Sequence, residues 1–387
     1  MSRETVTISK NILNWINDRY IDNLGSIRSR FQSWLDGSKL PTVSQAISLF
    51  NKLNLPLRYL FMDSVPNEKL DFIEFRTINS AELSDPSREL NDVYINMVQI
   101  KDWMSEYSKM NYLESLQFVG SCSRESNKYD IANRIMDTMS FSHEDLNNIN
   151  SARELFKFIR SKCEKLGIIV MMNGIVGSNT HRKLNIKEFR AFTLIDSFAP
   201  LIFINSADSY NGRLFSLFHE IAHVFLGTNS LYNRLDKDNV DVRHDEALCN
   251  SIAAEILVPD EYIKRRFENL STEIKSMANI LEKFKNEVHG SEYVILRKLY
   301  DNHILSIDAY RELLEDYQDR YERIIGTRKA TNGGNSNVLL QSRIDNRLAM
   351  ALNSSAESGY TSFVDVYRMT YTNERSFSKL INQIKNK

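Results

Sequence analysis

The sequence predicts an α+β protein that is mostly helical and carries one short β-rich region near its centre. Apolar residues recur at helical spacing through most of the 387 residues, as expected for helices with one buried face. Between residues 167 and 205 this pattern gives way to three β-rich runs, "GIIVMMNGIV", "FRAFTLID" and "PLIFINS". An apolar helix containing "HEIAH" follows, and a further helix is predicted at about 242–257. We therefore expect about three strands packed against these two helices, flanked by helical regions.

Composition and charge exclude several classes of protein. The hydrophobic fraction of 42% and the charged fraction of 26% are ordinary for a globular chain. A net charge of -1 gives no overall attraction to nucleic acid or anionic lipid, so such binding must be local. The start "MSRETVTISK" lacks the apolar segment of a secretory signal, and apolar runs are far shorter than the roughly 18 residues of a membrane span. The cysteines are odd in number and widely spaced, which argues against a disulfide framework and for the cytoplasm; they are Cys122, Cys163 and Cys249.

The first domain is predicted over residues 1–66 and is helical. One predicted helix face carries Ile8, Ile12, Trp15 and Ile16. Residues 8–62 hold seven Lys/Arg against three Asp, a modest excess of +4. Three polar side chains of this domain could face a major groove, although solvated helix residues have the same pattern; they are Arg28, Arg30 and Gln32.

Helices dominate on both sides of the β-rich region. Residues 67–166 are predicted to be a helical connector, with a short link at 71–94 and helices at about 86–108, 111–119, 124–137 and 143–166. After the domain at 167–260 we predict a helical subdomain at 261–325, in which Ser271 caps a helix. The polar segment "GTRKATNGGNSN" then predicts a linker at 326–337, followed by a helical tail to 387.

The segment "HEIAH" is an H-E-x-x-H motif. His219 and His223 lie four residues apart, so on a helix both imidazoles project from one face toward a single ion. Two imidazoles suit Zn²⁺ and leave room for a third protein ligand and a water, while Glu220 is placed to take a proton from that water. The alternative is a core helix with satisfied histidines. Burying three ionisable groups in five residues without a shared partner would cost several kcal/mol, which favours the metal site.

The third ligand is sought on the next helix, in "NVDVRHDEALCNSIAAEILVP". Glu246 lies on the same helical row as Asn250, Ala253 and Leu257, whereas His244 lies about 200° around the helix from it. This favours Glu246 over His244 and leaves Asn250 to orient a ligand. The other candidates weighed are Asp241, Asp245 and the softer Cys249.

Two stretches carry a resemblance to a known family. "PLIFINSADSYNGRLFSLFHEIAHVFLG" followed by "DEALCNSIAAEILVP" resembles the ImmA/IrrE family of zinc metallopeptidase-like proteins. The resemblance implies a small zincin-like domain whose ligands are His219, His223 and Glu246, with Glu220 as the catalytic base. Cys249 and Ile252 replace the usual Ala and Phe of the glutamate motif. "WLDGSKLPTVSQAISLFNKLNLPLRYLF" resembles the helix-turn-helix domain of XRE-type regulators. Together with "SEYVILRKLYDNHILSIDAY" and the tail after "NGGN", this resemblance suggests the long form of the family.

The function implied by this resemblance is proteolysis of a repressor-type regulator in settings such as phage control or toxin–antitoxin pairs. The first hypothesis is therefore a zinc endopeptidase with a specific protein substrate. The alternative is a regulator or antitoxin that binds DNA or a toxin and keeps the peptidase fold as a sensing or docking module. In the first hypothesis "PLIFINS" offers its edge to an extended peptide. Candidates for the group that stabilises the oxyanion are His181, Tyr210, Arg213 and Tyr232.

Overall fold

A computed structural model describes residues 4–21, 24–53, 55, 57–64, 86–232, 240–273, 276–327 and 336–386. The chain divides into two compact units, Met1–Ile73 and Glu74–Lys387. Most of the predicted link at 71–94 and most of the predicted linker at 326–337 fall outside the described residues.

The first unit is helical. It contains α1 (Lys10–Tyr20), α2 (Arg28–Leu35) and α3 (Val43–Lys52), with single-turn 3-10 helices at Gly25–Ile27 and Leu57–Phe61. The predicted apolar face of α1 lies in the core of this unit against Phe31, Trp34 and Phe50. The three polar residues considered for DNA contact are exposed on α2, namely Arg28, Arg30 and Gln32. That these side chains contact DNA bases remains a prediction.

The second unit is built around a four-stranded sheet in the order β1-β5-β4-β6. Strand β1 (Ile169–Asn173) runs parallel to β5 (Leu201–Asn205), and β4 (Ala191–Leu194) pairs antiparallel with β5. A short strand that sequence reasoning missed, β6 (Ser230–Tyr232), joins the far side of β4. Strands β2 (Ile175–Val176) and β3 (Asn179–Lys183) form a separate hairpin. The α+β, mostly helical prediction is confirmed.

The position of β5 corrects one expectation. "PLIFINS" was expected to offer a free edge, but β5 lies inside the sheet and is paired on both sides, with β1 and with β4. Among the described strands of this sheet, the two outer positions belong to β1 and β6. A peptide therefore cannot add to β5.

Helices cover both faces of the sheet. One face packs against α7 (Ala152–Leu166), α8 (Tyr210–Leu226) and α9 (Val240–Leu257). Further helices of this layer are α5 (Lys128–Met139), α6 (His143–Asn147), α10 (Asp260–Glu273), α11 (Met277–Glu287), α12 (Glu292–Asp301) and α13 (Ile307–Thr327). The other face packs against α4 (Arg88–Met110) and the C-terminal helices. These are α14 (Ser336–Arg343), α15 (Asn346–Glu357), α16 (Phe363–Thr370) and α17 (Glu374–Lys385).

The predicted tail is joined to the sheet by buried polar contacts. Asp345 caps α15 by accepting from the backbone N–H of Leu348, at 3.0 Å. Its carboxylate also accepts from the N–H of Val170 on the outer strand β1, at 3.1 Å. Arg160 of α7 donates to the carbonyls of Ser342 and Ile344, at 2.5 and 2.9 Å. Buried hydrogen bonds thus fix the segment that begins at α14 to β1 and α7. Removing this segment would leave buried polar groups without partners and would lower the stability of the fold.

Several helix predictions are wrong in detail. Residues 111–119 form a loop, whose continuation bonds the end of α8 through Gly120 N–H to Val224 and Cys122 N–H to Phe225. The predicted helix at 143–166 is two helices, because the Ser151 side chain accepts from the Glu154 N–H and starts a new one. Ser271 lies inside α10 rather than at a helix start. Of the helices described, none is long and apolar enough to cross a membrane.

Candidate metal centre

Helix α8 is buried along nearly its whole length. Ser209 caps its start by accepting from the Gly212 N–H at 3.1 Å, and Gly227 ends it in a left-handed conformation with φ 71°. A Cβ at Gly227 would meet the backbone of Gly120 at 2.9 Å, so the loop at 120 and the end of α8 approach too closely for any side chain there. The apolar residues of "FSLFHEIAHVFLG" enclose His219, Glu220 and His223, whose exposed fractions are 0%, 0% and 2%.

The two histidines of α8 meet a carboxylate of α9. Nε2 of His219 lies 3.1 Å from Oε2 of Glu246, and Nε2 of His223 lies 3.3 Å from Oε1 of Glu246. The two Nε2 atoms are 3.1 Å apart. Three ligands held at about 2.1 Å from one tetrahedral ion lie about 3.4 Å from each other. The three donor atoms therefore fit Zn²⁺ without rearrangement of the helices.

The surroundings orient the histidine ligands and bias their charge. Nδ1 of His223 lies 2.8 Å from Oγ1 of Thr228, a contact that fixes the ring and leaves Nε2 toward Glu246. Burial alone would lower the pKa of His223, but the adjacent Cys249 and Glu246 side chains raise it well above its usual value. Burial alone would raise the pKa of Glu246, but His219 and His223 outweigh burial and hold it well below its usual range. The carboxylate of Glu246 is therefore kept anionic beside the two imidazoles.

Glu220 is held by two hydroxyl groups that sequence reasoning missed. Its Oε2 accepts from Oγ1 of Thr193 on β4, at 2.6 Å, and from Oγ of Ser230 on β6. Oε1 is buried and has no hydrogen-bond partner within the described part of the chain. A buried carboxylate oxygen without a donor is costly, and this atom is suited to accept from a reacting water.

The other candidates for the third ligand fall elsewhere. His244 is exposed, and Asp245 forms an ion pair with Arg124 at 3.0 Å. The Asp241 side chain lies outside the described residues. Cys249 is buried beside His223, yet the group of mutually close donor atoms comprises His219, His223 and Glu246. Asn250 is half-buried on α9, and its orienting role stays a prediction.

Among the candidates for oxyanion stabilisation, Arg213 and Tyr210 contact each other at the start of α8, and His181 is exposed to solvent. Arg213 donates to the backbone carbonyls of Asp208, at 2.9 Å, and Ser206, and its guanidinium lies 4.4 Å from the Tyr210 ring centroid. These contacts fix the turn between β5 and α8. His181 is exposed on β3, and the Tyr232 side chain lies outside the described residues. Arg213 therefore fixes the start of α8, and its part in oxyanion stabilisation stays a prediction.

Comparison with protein families agrees with this arrangement. Residues 163–298 match the model of the IrrE N-terminal-like domain, a peptidase family. The match covers about a third of the chain and includes the whole sheet together with α8 and α9. It supports a relation to the ImmA/IrrE family and a metallopeptidase-like fold. No curated protein and no solved structure matches the chain.

Proposed function

We propose that this protein is a zinc-dependent endopeptidase that hydrolyses a specific protein substrate, a repressor-type or partner regulatory protein. The observation that carries the proposal is the convergence of His219, His223 and Glu246 beside Glu220. A purely structural zinc site does not need a general base such as Glu220, because its ligands complete the coordination by themselves. The relation of residues 163–298 to a peptidase family supports the same activity.

The residues divide the chemistry between them. His219, His223 and Glu246 would hold the ion, which supplies Lewis-acid activation of a water and of the peptide carbonyl when bound. Glu220 accepts the proton of the attacking water at Oε1 and delivers it to the leaving amine. Thr193 and Ser230 bond the other oxygen, Oε2, and so keep the carboxylate from rotating away. The apolar wall of α8 excludes bulk water from the proton transfer.

The substrate is expected to bind as an extended strand along β6. This strand is at the end of the sheet order, and its Ser230 contacts the Glu220 carboxylate. At the opposite end, the N–H of Val170 on β1 is already bonded to Asp345. Backbone hydrogen bonds to β6 would place a scissile bond beside the catalytic carboxylate, with affinity supplied by the main chain.

The test is the Glu220→Gln protein, incubated with the regulator encoded beside its own gene and followed by mass spectrometry of the fragments. We expect zinc content and fold to be retained while cleavage falls by about 10²- to 10⁴-fold, the contribution of a general base. Glu154→Gln, a change in the exposed first turn of α7, serves as the matched control. Full biological activity of Glu220→Gln would reject the peptidase and favour a regulator or antitoxin that uses this fold for docking.

A further inference from the structure

A cleft lies on the face of the sheet opposite the metal centre. Its floor is formed by β1 and β5, and its walls by α4, α14 and α16. The empty space is about 460 Å³, a value that includes the open mouth of the cleft. Much of the lining is apolar, including Phe203 and the unbranched side chains of Met97, Met171 and Met369. Methionine-rich surfaces adapt readily to the shape of a bound hydrocarbon.

One cation lines this apolar cleft. Arg343, the last residue of α14, is half-buried, and burial lowers the pKa of its guanidinium. Within the described residues it has no recorded ion pair or hydrogen bond. The neighbouring carbonyls of Ser342 and Ile344 accept from Arg160 instead. Residues 328–339, which precede it along the chain, contain no Asp or Glu.

This combination has a chemical consequence. A partly desolvated guanidinium without an anion is unfavourable, and an anionic ligand that reached it would remove that cost. A single guanidinium matches a carboxylate through two parallel hydrogen bonds. A phosphate dianion would need a further cation, and no second Lys, Arg or His lines the cleft among the residues that the structure describes. The apolar floor favours a hydrocarbon body attached to the anionic group.

We propose that this cleft binds a small amphipathic carboxylate, with the carboxylate on Arg343 and the hydrocarbon part against Met97, Met171 and Phe203. The proposal does not depend on the peptidase activity, because the two sites use opposite faces of the sheet. Along β1 and β5, Met171 and Phe203 pack on the cleft side, whereas Val170 and Ile204 pack on the side of α8.

The experiment is isothermal titration calorimetry on the full-length protein with octanoate, with acetate as the anion alone and 1-octanol as the hydrocarbon alone. Octanoate should bind saturably at one site, and more tightly than either control compound. Arg343→Gln should weaken octanoate binding about tenfold or more, as expected for loss of a charge-assisted bidentate pair. Arg368→Gln removes an arginine whose side chain is 74% exposed and should leave the affinity unchanged.

A second variant guards against a folding defect in Arg343→Gln. Ile175→Trp keeps the guanidinium and fills part of the cleft from a half-buried lining position, and it should also weaken octanoate binding. The proposal is overturned if octanoate shows no saturable binding to the wild-type protein. It is equally overturned if Arg343→Gln binds octanoate as tightly as wild type, or if inorganic phosphate competes as well as octanoate does.

Discussion

Helix α9 carries a half-buried carboxylate, Glu246, and a buried one, Glu255, with different surroundings. In its first half, Glu246 meets two imidazoles and, among the residues that the structure describes, no Lys or Arg. Near its end, Glu255 belongs to an ion cluster formed with Lys128, Asp260, Lys298 and Asn302. There Lys298 Nζ donates to both Glu255 and Asp260, the latter at 2.8 Å. Lys128 Nζ and Asn302 Nδ2 also donate hydrogen bonds to the Asp260 carboxylate, at 2.6 and 2.7 Å.

The partners of the two carboxylates distinguish a candidate metal site, at Glu246, from a structural ion pair, at Glu255. The ion cluster pairs each acceptor with a donor of the same chain, so it needs nothing from outside. In the candidate metal centre two imidazole nitrogens and a carboxylate oxygen converge, and a bound cation would satisfy all three of them. The side chains of Glu246 and Glu255 are similarly shielded from solvent, at 18% and 10% exposed, and therefore shielding alone does not identify a functional carboxylate. Each of the following changes tests one side of this comparison.

The largest expected effect is the loss of metal from His219→Ala. The wild-type protein should carry about one zinc per chain by mass spectrometry of the metal, and His219→Ala should carry none, because two ligands no longer enclose the ion. His244→Ala, at an exposed position of α9, should keep full zinc content. If His244→Ala releases zinc while Glu246→Ala retains it, the assignment of the third ligand is wrong.

The ion cluster should respond in stability rather than in metal content. Lys298→Met leaves Glu255 and Asp260 buried without their shared cation, and we expect a loss of about 3–5 kcal/mol in the free energy of unfolding. Urea denaturation measures this loss. Lys285→Met, which breaks a pair with Glu292 at 3.1 Å from a side chain that is 42% exposed, should cost about 0–1 kcal/mol. Equal costs for the two variants would contradict the comparison.

The ion cluster should also depend on pH in a defined direction. Burial alone would raise the pKa of Asp260, but hydrogen bonds from Lys128, Lys298 and Asn302 hold it well below the ordinary value of 3.8. Stability from this carboxylate is therefore present above about pH 4 and is lost as the pH falls toward the folded-state pKa. The stability difference between wild type and Asp260→Asn should be constant from about pH 7 to 5 and shrink below about 4. Growth of this difference in acid would refute the assignment.

The smallest effect is expected from Thr228→Val. Removing the hydroxyl that lies 2.8 Å from Nδ1 of His223 frees the ring, and metal affinity should fall by about 10- to 100-fold while the ligands stay in place. A competition titration with a zinc chelator measures the change. Thr272→Val removes an exposed hydroxyl that bonds only within α10 and should leave the affinity unaltered. An unchanged affinity in Thr228→Val would show that the ring is fixed by packing alone.

Local spacing carried most of what could be predicted about the metal centre. His219, Glu220 and His223 lie within one helical turn, and periodicity was enough to prefer Glu246 over His244, which the structure leaves exposed. Thr193 and Ser230 could not be found in this way. They reach Glu220 from two strands that pair across the sheet, and the three-residue strand β6 is too short to give an alternation pattern.

The errors in the predicted fold arose from contacts distant in sequence. The order β1-β5-β4-β6 places "PLIFINS" inside the sheet, and strand order is set by packing that a sequence pattern does not report. Residues 111–119 have helical composition, yet Tyr112 adopts φ 56° directly after α4. The loop then bonds the terminal carbonyls of α8 through Gly120 and Cys122, which satisfies both segments without a helix.

The core formed by α4, the sheet and α15 to α17 has a consequence for how this protein is made. Its members include Leu90 near one end of the second unit and Leu380 near the other, with Met171 and Phe203 of the sheet between them. During synthesis the sheet is complete long before its cover leaves the ribosome. The nascent chain must therefore keep part of an apolar sheet face from aggregating until α15 to α17 emerge. Loss of α15 to α17 would leave much of that face covered by α4 alone, so we expect these helices to be needed for accumulation of folded protein in the cell.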